Sequence, residues 1–453
     1  MEHNKFAEMP LPKLLRSMAV PAIIANVVNS LYNIVDQIFI GQGIGYLGNA
    51  ATSVAFPLTT ICLAFGLMCG IGAASNFNLC MGKGEEESAS KMVGNGIRIA
   101  TTIGVIVLVA VLLLLKPILL LFGATDATMG YAISYTRITA IGIPFLMFTF
   151  SVNPLIRADG SSTYSMMGIV IGAVLNTILD PIFIFVFDWG IRGAAIATLI
   201  SQVVAALCFA KYLFQFQSVT LTKSSFELDS EAIRRIISFG SSSFIFQFSM
   251  MIIQVVTNNM LRSYGRRSVY GSDVTIAIAG IVTKVNSIFI AVIIGLVQGA
   301  QPIFGFNYGA KNLERVQGTL KLLWKSAFAI SLIAFLGFEI FPRQILELFG
   351  SGSDLYFQFG IKFIRIFLIF TMLNGIQISS TTFFQAIGRA KIGALLSLIK
   401  QVIVLLPLIV ILPYFFGVDG VIYAGPAVDI IAFSTTMIFL RREWKRMPAD
   451  LSV

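Results

Sequence analysis

The chain has 453 residues, of which 57% are hydrophobic and 12% are charged, and its formal net charge is +10. Soluble domains carry about twice that charged fraction, and a mean hydropathy of +0.86 is typical of an integral membrane protein. The positive charge does not indicate a nucleic-acid partner, because Lys and Arg are scattered among the connecting segments and form no single basic face.

Residue types that commonly support catalysis or bind metals are scarce. The single histidine is His3, near the amino end, and the four cysteines have no paired spacing that would indicate disulfides or zinc. No GxxxxGK[ST] phosphate loop occurs, so ATP is not the expected energy source. We therefore expect no enzymatic activity and no cofactor other than a coupling ion.

Apolar runs of about 20 residues, the length that crosses the hydrocarbon core, predict twelve transmembrane helices. In chain order they cover residues 17–41, 49–77, 95–116, 131–156, 164–187, 193–216, 237–261, 274–304, 319–341, 362–387, 392–416 and 419–440. Lys and Arg concentrate in the amino terminus and in alternate connections. The positive-inside rule therefore predicts a multi-pass protein of the cell membrane with both termini in the cytoplasm.

The two halves of the chain repeat at an interval of 227 residues. Gly72 recurs as Gly299 and Gly82 as Gly309, each at an equivalent helix end. Six helices per repeat make the repeats parallel, which predicts an all-α membrane protein with two pseudo-symmetric six-helix bundles around a central cleft. The predicted units are an amino-terminal lobe, a cytoplasmic linker and a carboxy-terminal lobe at residues 1–217, 218–235 and 236–453.

Two carboxylates, Asp36 and Asp180, are predicted to lie well inside spans, where a charge costs at least about 2.5 kcal/mol. Asn176 precedes Asp180 by one helical turn and shares its face. A polar stripe on an apolar span must face protein or water, because lipid cannot satisfy it. In the first span this stripe consists of Asn29, Tyr32, Asn33 and Asp36.

Three side chains with oxygen ligands are predicted to lie at similar depths in the membrane. Asp36, Asp180 and Thr198 lie about 8 to 10 Å inside the outer ends of the first, fifth and sixth spans. Pro181 lacks an amide hydrogen and frees a backbone carbonyl beside them. Carboxylate, amide and hydroxyl oxygens suit Na⁺, and a buried carboxylate suits a proton, so both ions remain open.

The equivalent positions of the second half carry no carboxylate, so the ion site is predicted for the amino-terminal lobe alone. The alternative is structural. The two carboxylates would then lean separately towards the outer headgroups, Asn176 would bond to another helix and Thr198 would bond to its own backbone.

The chain resembles the multidrug and toxic compound extrusion (MATE) family of secondary transporters over nearly its whole length. The similarity rests on "NSLYNIVDQIFIGQ", "GIGAASNFNLCMGKGEEESA" with its echo "GAQPIFGFNYGAKNLERV", "IRADGSS", "FFQAIGRAK" and "LNTILDPIFIF". The resemblance implies alternating-access export of lipophilic, mostly cationic compounds in exchange for Na⁺ or H⁺. It also implies a cation site at Asp36, Asn176, Asp180 and Thr198, with Asp36 and Asp180 as metal ligands if Na⁺ is the ion. Another branch of the family carries acids in the seventh and tenth helices, and the approximate counterparts here are Met250 and Asn374.

Polar and soft side chains are candidates for a permissive substrate cleft, together with the abundant Phe and Met. The candidates are Asn29, Tyr32, Asn33, Asn153, Gln247, Met250, Gln254, Asn258, Asn374 and Gln377. The expected partners are small-molecule substrates and the lipid bilayer, and we expect a monomer. The alternatives are a lipid-linked oligosaccharide flippase of the same superfamily, which needs a strongly basic cavity, and an ion channel or structural membrane protein.

Overall fold

The protein, seen in a computed structural model, is described at residues 5–348 and 354–451. Every regular element within those residues is helical, so the predicted all-α membrane fold is confirmed. His3 lies outside the described residues, as do both chain ends.

Twelve membrane spans form the bundle in the described residues. Ten are continuous helices long and apolar enough to cross a membrane, two of which contain a π-helical segment, and two are helix pairs bent by 52° and 46°. Spans 1 to 12 are Leu11–Ile44, Tyr46–Lys83, Glu86–Leu113, Asp126–Ile141 with Ile143–Ala158, Ser162–Pro181 with Ile182–Val186, Gly190–Leu213, Ser230–Gly265, Gly271–Gly309, Leu313–Ile340, Asp354–Phe367 with Thr371–Ala386, Ala390–Leu398 with Ile399–Leu405 and Leu406–Phe416, and Val418–Leu451.

Most spans extend beyond the predicted bounds, because an apolar run locates only the part of a helix that lies in hydrocarbon. Span 7 illustrates this: its apolar run starts near residue 237, but the helix begins at Ser230. Asp229 caps it by accepting hydrogen bonds from the backbone N–H groups of Glu231 and Ala232, at 2.9 and 3.2 Å. The end of the segment predicted as a linker is thus the first turns of span 7.

Spans 1–6 and spans 7–12 form two bundles that meet through reciprocal helix pairs. Span 1 packs against span 8, and span 7 packs against span 2. Gly72 of span 2 faces the backbone of Ile236 in span 7, and its repeat equivalent Gly299 of span 8 faces Ala19 in span 1. A side chain at either glycine would overlap the opposing backbone, so both crossings depend on the missing Cβ. Equivalent contacts at repeated positions are what two parallel, pseudo-symmetric lobes require.

One face of the bundle, called here the terminal face, carries helix Lys5–Glu8 and the turn at Gly160. Lys5 donates to the Gly160 carbonyl of the amino-terminal lobe, while the Phe6 carbonyl accepts from Arg315 Nη2 of the carboxy-terminal lobe at 2.8 Å. Burial lowers the pKa of the Lys5 amine, and the Asp159 carboxylate acts in the opposite direction. Lys5 and Phe6 thus connect the two lobes at this face.

The lobes also approach each other closely near the terminal face. Gly82 at the end of span 2 packs against its repeat equivalent Gly309 at the end of span 8, and Gly305 packs against Asn78. The opposite face, called here the distal face, carries the turns at Gly45 and Asp188. The described glycine contacts between the lobes therefore join them in the terminal half of the bundle.

Candidate functional site

Span 5 carries the central residues of the site at a break in its helix. Asp180 and Asn176 are buried, with 0% and 2% of their surfaces exposed. The α-helix ends at Pro181, which has no N–H to continue the regular hydrogen-bond pattern, and Ile182–Val186 continues as a π-helical turn. Such widened turns occur frequently at functional sites. The local sequence thus explains why the span changes geometry directly beside Asp180.

The structure brings Asp36 of span 1 against Asp180, with the two carboxyl groups close enough to share a hydrogen bond. Asn176 Nδ2 donates to Asp180 Oδ1 at 3.3 Å. One oxygen of each of these three side chains is buried without a hydrogen-bond partner, namely Asp36 Oδ1, Asp180 Oδ2 and Asn176 Oδ1. Buried oxygens that lack a donor are rare in folded proteins. This donor set fits a proton or a hard cation such as Na⁺.

Two tyrosines and one threonine adjoin the carboxylates. The side chains of Tyr32 and Tyr135 lie within electrostatic range of both Asp36 and Asp180. Tyr135 is hydrogen-bonded to Thr198, whose hydroxyl also donates to the Ala194 carbonyl of its own helix at 3.0 Å. We call Tyr32, Asp36, Tyr135, Asn176, Asp180 and Thr198 the acidic pocket.

Tyr135 was not predicted as a site residue. It belongs to the first segment of span 4, and a tyrosine in an apolar span is too common to stand out from sequence. Its position one helical turn after Tyr131 on the same face is the available signal, and only packing shows that this face meets the carboxylates.

A cavity of about 1040 Å³ opens on the distal face of the amino-terminal lobe. Its lining includes Ile44, Tyr131 and Arg192, together with residues of the turn at Asp188. Ile44 lies about two helical turns beyond Asp36 on span 1, and Tyr131 lies one turn before Tyr135 on span 4. The cavity therefore lies one to two helical turns from the acidic pocket, on its distal side.

The predicted cleft residues fall into four groups. Tyr32 belongs to the acidic pocket, and Asn374 and Gln377 belong to a cluster in the carboxy-terminal lobe. Asn153 is buried in the amino-terminal lobe, where it bonds to Arg157 and to Ser165 Oγ. The residues on partly or fully exposed faces of spans 1 and 7 are Asn29, Asn33, Gln247, Met250, Gln254 and Asn258.

The candidate residues on span 7 include a directly hydrogen-bonded pair, in which Gln254 Nε2 donates to Asn258 Oδ1 at 3.1 Å. These side chains stay predictions as substrate contacts. They are available on the surface of the lobe, whereas Asn153 is enclosed by its own network.

The prediction that Asp36 and Asp180 are the carboxylates deep inside spans was incomplete, because Asp429 is a third. It lies eleven residues into span 12 and is 7% exposed. Lys400 Nζ of span 11 lies 3.5 Å from Asp429 Oδ1, and Asn374 Nδ2 donates to Asp429 Oδ2 at 2.9 Å. Asp429 is not at the repeat position of Asp180, which is Pro407, so a comparison of equivalent positions does not reveal it. The apolar flanks of "AVDIIA" were the available signal.

No cluster of three or more His, Cys, Asp or Glu side chains capable of holding a metal occurs in the part of the chain that the structure describes. A cation in the acidic pocket would therefore depend on two carboxylates supplemented by amide and hydroxyl oxygens.

Comparisons with known proteins agree with this architecture. The MatE family model matches residues 21–182 and 267–411. Multidrug export protein MepA of Staphylococcus aureus strain MSSA476 is 26% identical over 449 residues, covering 99% of this chain and 97% of MepA. MepA of Staphylococcus saprophyticus is 25% identical and covers 98% of this chain and 97% of its own length.

Solved structures show the same fold. The MATE multidrug transporter DinF-BH is 35% identical, has a TM-score of 0.89 and covers 97% of each chain. An outward-facing MATE family transporter of the MOP superfamily gives a TM-score of 0.92 at 24% identity, covering 99% of each chain. Since the family model matches more than half of the residues, the chain belongs to the MatE family, the MATE transporters.

Proposed function

We propose that this protein is a secondary active multidrug efflux transporter that exports lipophilic, mostly cationic compounds in exchange for Na⁺ or H⁺. It acts by alternating access as a monomer in the cell membrane, with both termini in the cytoplasm. The relatives named as multidrug exporters support the substrate class. The acidic pocket supports ion exchange.

The observation that carries the proposal is the set of three buried, unpartnered oxygens on Asp36, Asn176 and Asp180. Two carboxylates in contact repel each other unless a proton or cation lies between them. The described residues place no Lys or Arg in an ion pair with either one. The positive charge that stabilises this pair is therefore proposed to come from solution, through the cavity on the distal face.

Coupling follows from the helices that hold the pocket. Asp36 lies on span 1, which packs against span 8 of the other lobe, and Asp180 lies beside the π-helical turn of span 5. A bound ion holds the two carboxylates together, and its loss lets them separate, which changes how spans 1 and 5 pack. If ion and substrate each favour a different arrangement, each lowers the affinity of the protein for the other by the same factor.

The flippase alternative requires basic groups that can bind pyrophosphate. Lys400, the basic residue deepest in span 11, is already paired with Asp429 and with two amide oxygens. Lys284 of span 8 is exposed, and one free lysine falls short of the strongly basic cavity that a flippase needs. The described spans therefore favour a cationic over an anionic substrate.

The test is uptake of a fluorescent lipophilic cation, rhodamine 6G, by inverted membrane vesicles that contain the protein. A sodium gradient and a pH gradient are imposed separately, each with the membrane potential clamped. The proposal predicts uptake driven by at least one gradient and abolished when that gradient is collapsed. Uptake that is indifferent to both gradients, or no uptake by correctly inserted protein, would contradict it.

A further inference from the structure

The carboxy-terminal lobe contains a second buried polar cluster, made by Asn374 and Gln377 of span 10, Lys400 of span 11 and Asp429 of span 12. We call these four residues the lysine quartet. Lys400 Nζ donates to Gln377 Oε1 at 3.1 Å and to Asn374 Oδ1, and it lies 3.5 Å from Asp429 Oδ1. Asn374 links both charges, because its Nδ2 also donates to Asp429 Oδ2 at 2.9 Å.

The quartet lies deep in its spans. Asp429 is about 16 Å along span 12 from Val418, and Lys400 is about 15 Å along span 11 from Ala390. Charged side chains at such depth are costly and usually mark a functional site. A buried ion pair is also weak support for stability, because an apolar pair of similar size often serves as well. The location therefore calls for a role other than holding the helices together.

Hydrogen-bond capacity decides which kind of ligand the quartet suits. The Lys400 ammonium has three N–H donors and three oxygen neighbours, so no donor is left for an anion. The Asp429 carboxylate has about four lone-pair sites, and two contacts use only two of them. The spare capacity is on the acceptor side, which suits a cation.

The pair is also accessible enough to exchange partners. The Lys400 side chain is 14% exposed and that of Asp429 is 7% exposed. Lys400 lies in the π-helical segment Ile399–Leu405, a widened geometry that is frequent at functional sites. The next residue, Gln401, contacts the sulfur of Met250 at 3.6 Å, on the exposed face of span 7. Lys400 and Asn374 are themselves partly exposed, whereas Gln377 and Asp429 are buried, so a ligand would reach the quartet from the side of Lys400 and Asn374.

We propose that the lysine quartet is a recognition site for organic cations that carry ammonium or amidinium N–H groups, and that such a ligand binds Asp429 by displacing the Lys400 ammonium. Lys400 then neutralises Asp429 in the absence of a ligand, and its competition lowers the affinity of Asp429 for the ligand. The role of these ligands as transported substrates rests on the proposed function, but their binding does not.

The experiment measures equilibrium binding to purified full-length protein in detergent, without an ion gradient. The probes are the fluorescent diamidine DAPI and the uncharged dye Nile red. Lys400→Gln removes the competing cation, so the DAPI affinity should rise by about tenfold, within the range typical of coupled sites, while Nile red binding stays unchanged. Unchanged or weaker DAPI binding, or an equal change for both probes, overturns the proposal.

A second variant protects the test against misfolding of the first. Lys400→Gln combined with Asp429→Asn replaces the charges by neutral side chains of similar size and leaves no unpaired charge. This double variant should bind DAPI about tenfold more weakly than the unmodified protein and bind Nile red equally well. DAPI affinity equal to that of the unmodified protein overturns the proposal. Because no gradient is present, failure of ion coupling in vesicles would leave this result unaffected.

Discussion

The two lobes solve the same electrostatic problem in different ways. The amino-terminal lobe buries two carboxylates, Asp36 and Asp180, against each other with unpartnered oxygens. The carboxy-terminal lobe buries one carboxylate, Asp429, and the chain itself supplies Lys400 as the compensating charge. The difference indicates what makes a buried charge useful for transport. A carboxylate pair without a tethered cation needs an ion from solution. A tethered lysine, in contrast, neutralises its carboxylate until a competing cation displaces it.

The largest expected effect comes from removing a charge of the acidic pocket. Asp36→Asn and Asp180→Asn should each lower gradient-driven dye transport by a factor on the order of 100, the upper part of the usual range for coupling free energies. Thermal stability should change little, because each substitution removes repulsion between two buried carboxylates. Vesicle transport and a thermal melt measure the two quantities.

Asp354→Asn is the matched control for both substitutions. Asp354 is an exposed acid in the first turn of span 10, in the other lobe and outside the cavity on the distal face. It should transport at the unmodified rate. Transport by Asp36→Asn at the rate of this control would show that the acidic pocket does not drive export.

A second substitution would give the acidic pocket a tethered lysine, as the lysine quartet has. Asn176→Lys places a tethered ammonium one helical turn from Asp180, as Lys400 is placed beside Asp429. We expect transport to fall by a factor of about 50 while the melting temperature is held or raised, because the lysine takes the place of the ion. Transport that stays coupled to the gradient in a folded Asn176→Lys protein would show that the missing counter-charge is not the decisive difference between the lobes.

Tyr135→Phe should have an intermediate effect. The substitution keeps the ring and removes the hydroxyl that bonds to Thr198 beside the carboxylates. Loss of one hydrogen bond near a charge is worth about 1 kcal/mol, so the concentration of ion at half-maximal transport should rise about fivefold. The maximal rate at saturating ion should be unchanged. A changed maximal rate with an unchanged ion requirement would assign Tyr135 to a different step.

The smallest effect is expected from Thr198→Val. Its hydroxyl already donates to the Ala194 carbonyl, so the hydroxyl contributes only part of its capacity to the acidic pocket. Polar contacts between membrane helices are worth about 0.6 kcal/mol, which corresponds to about a threefold weaker affinity for the ion in a titration of transport against ion concentration. A loss as large as that of Asp36→Asn would make Thr198 a direct and essential ion ligand.

Polar residues that interrupt an apolar span could be predicted as site residues from the sequence. Asp36, Asn176 and Asp180 stand out in spans 1 and 5, and the structure brings them together. The glycines at an interval of 227 residues predicted parallel repeats, and the structure places Gly72 and Gly299 at equivalent contacts between the lobes.

What the sequence could not predict depends on packing. Tyr135 became a pocket residue only because one face of span 4 meets spans 1 and 6. Asn153 satisfies Arg157 and Ser165 within its lobe, which its amide alone does not indicate. The π-helical segment at Lys400 has no proline inside it, in contrast with the turn that follows Pro181. Asp429 does stand out between apolar neighbours in the sequence, but its repeat equivalent in the amino-terminal lobe is Gln202, so the repeat gives no sign of it.

The central claim is that an ion from solution binds between Asp36 and Asp180 and thereby weakens substrate binding. Its most direct test is an equilibrium titration of rhodamine 6G binding to the purified protein at increasing Na⁺ and, separately, at decreasing pH. The account predicts that one of these ions releases the dye from the unmodified protein, and that dye binding to Asp36→Asn no longer depends on that ion. The same ion dependence in both proteins would contradict it.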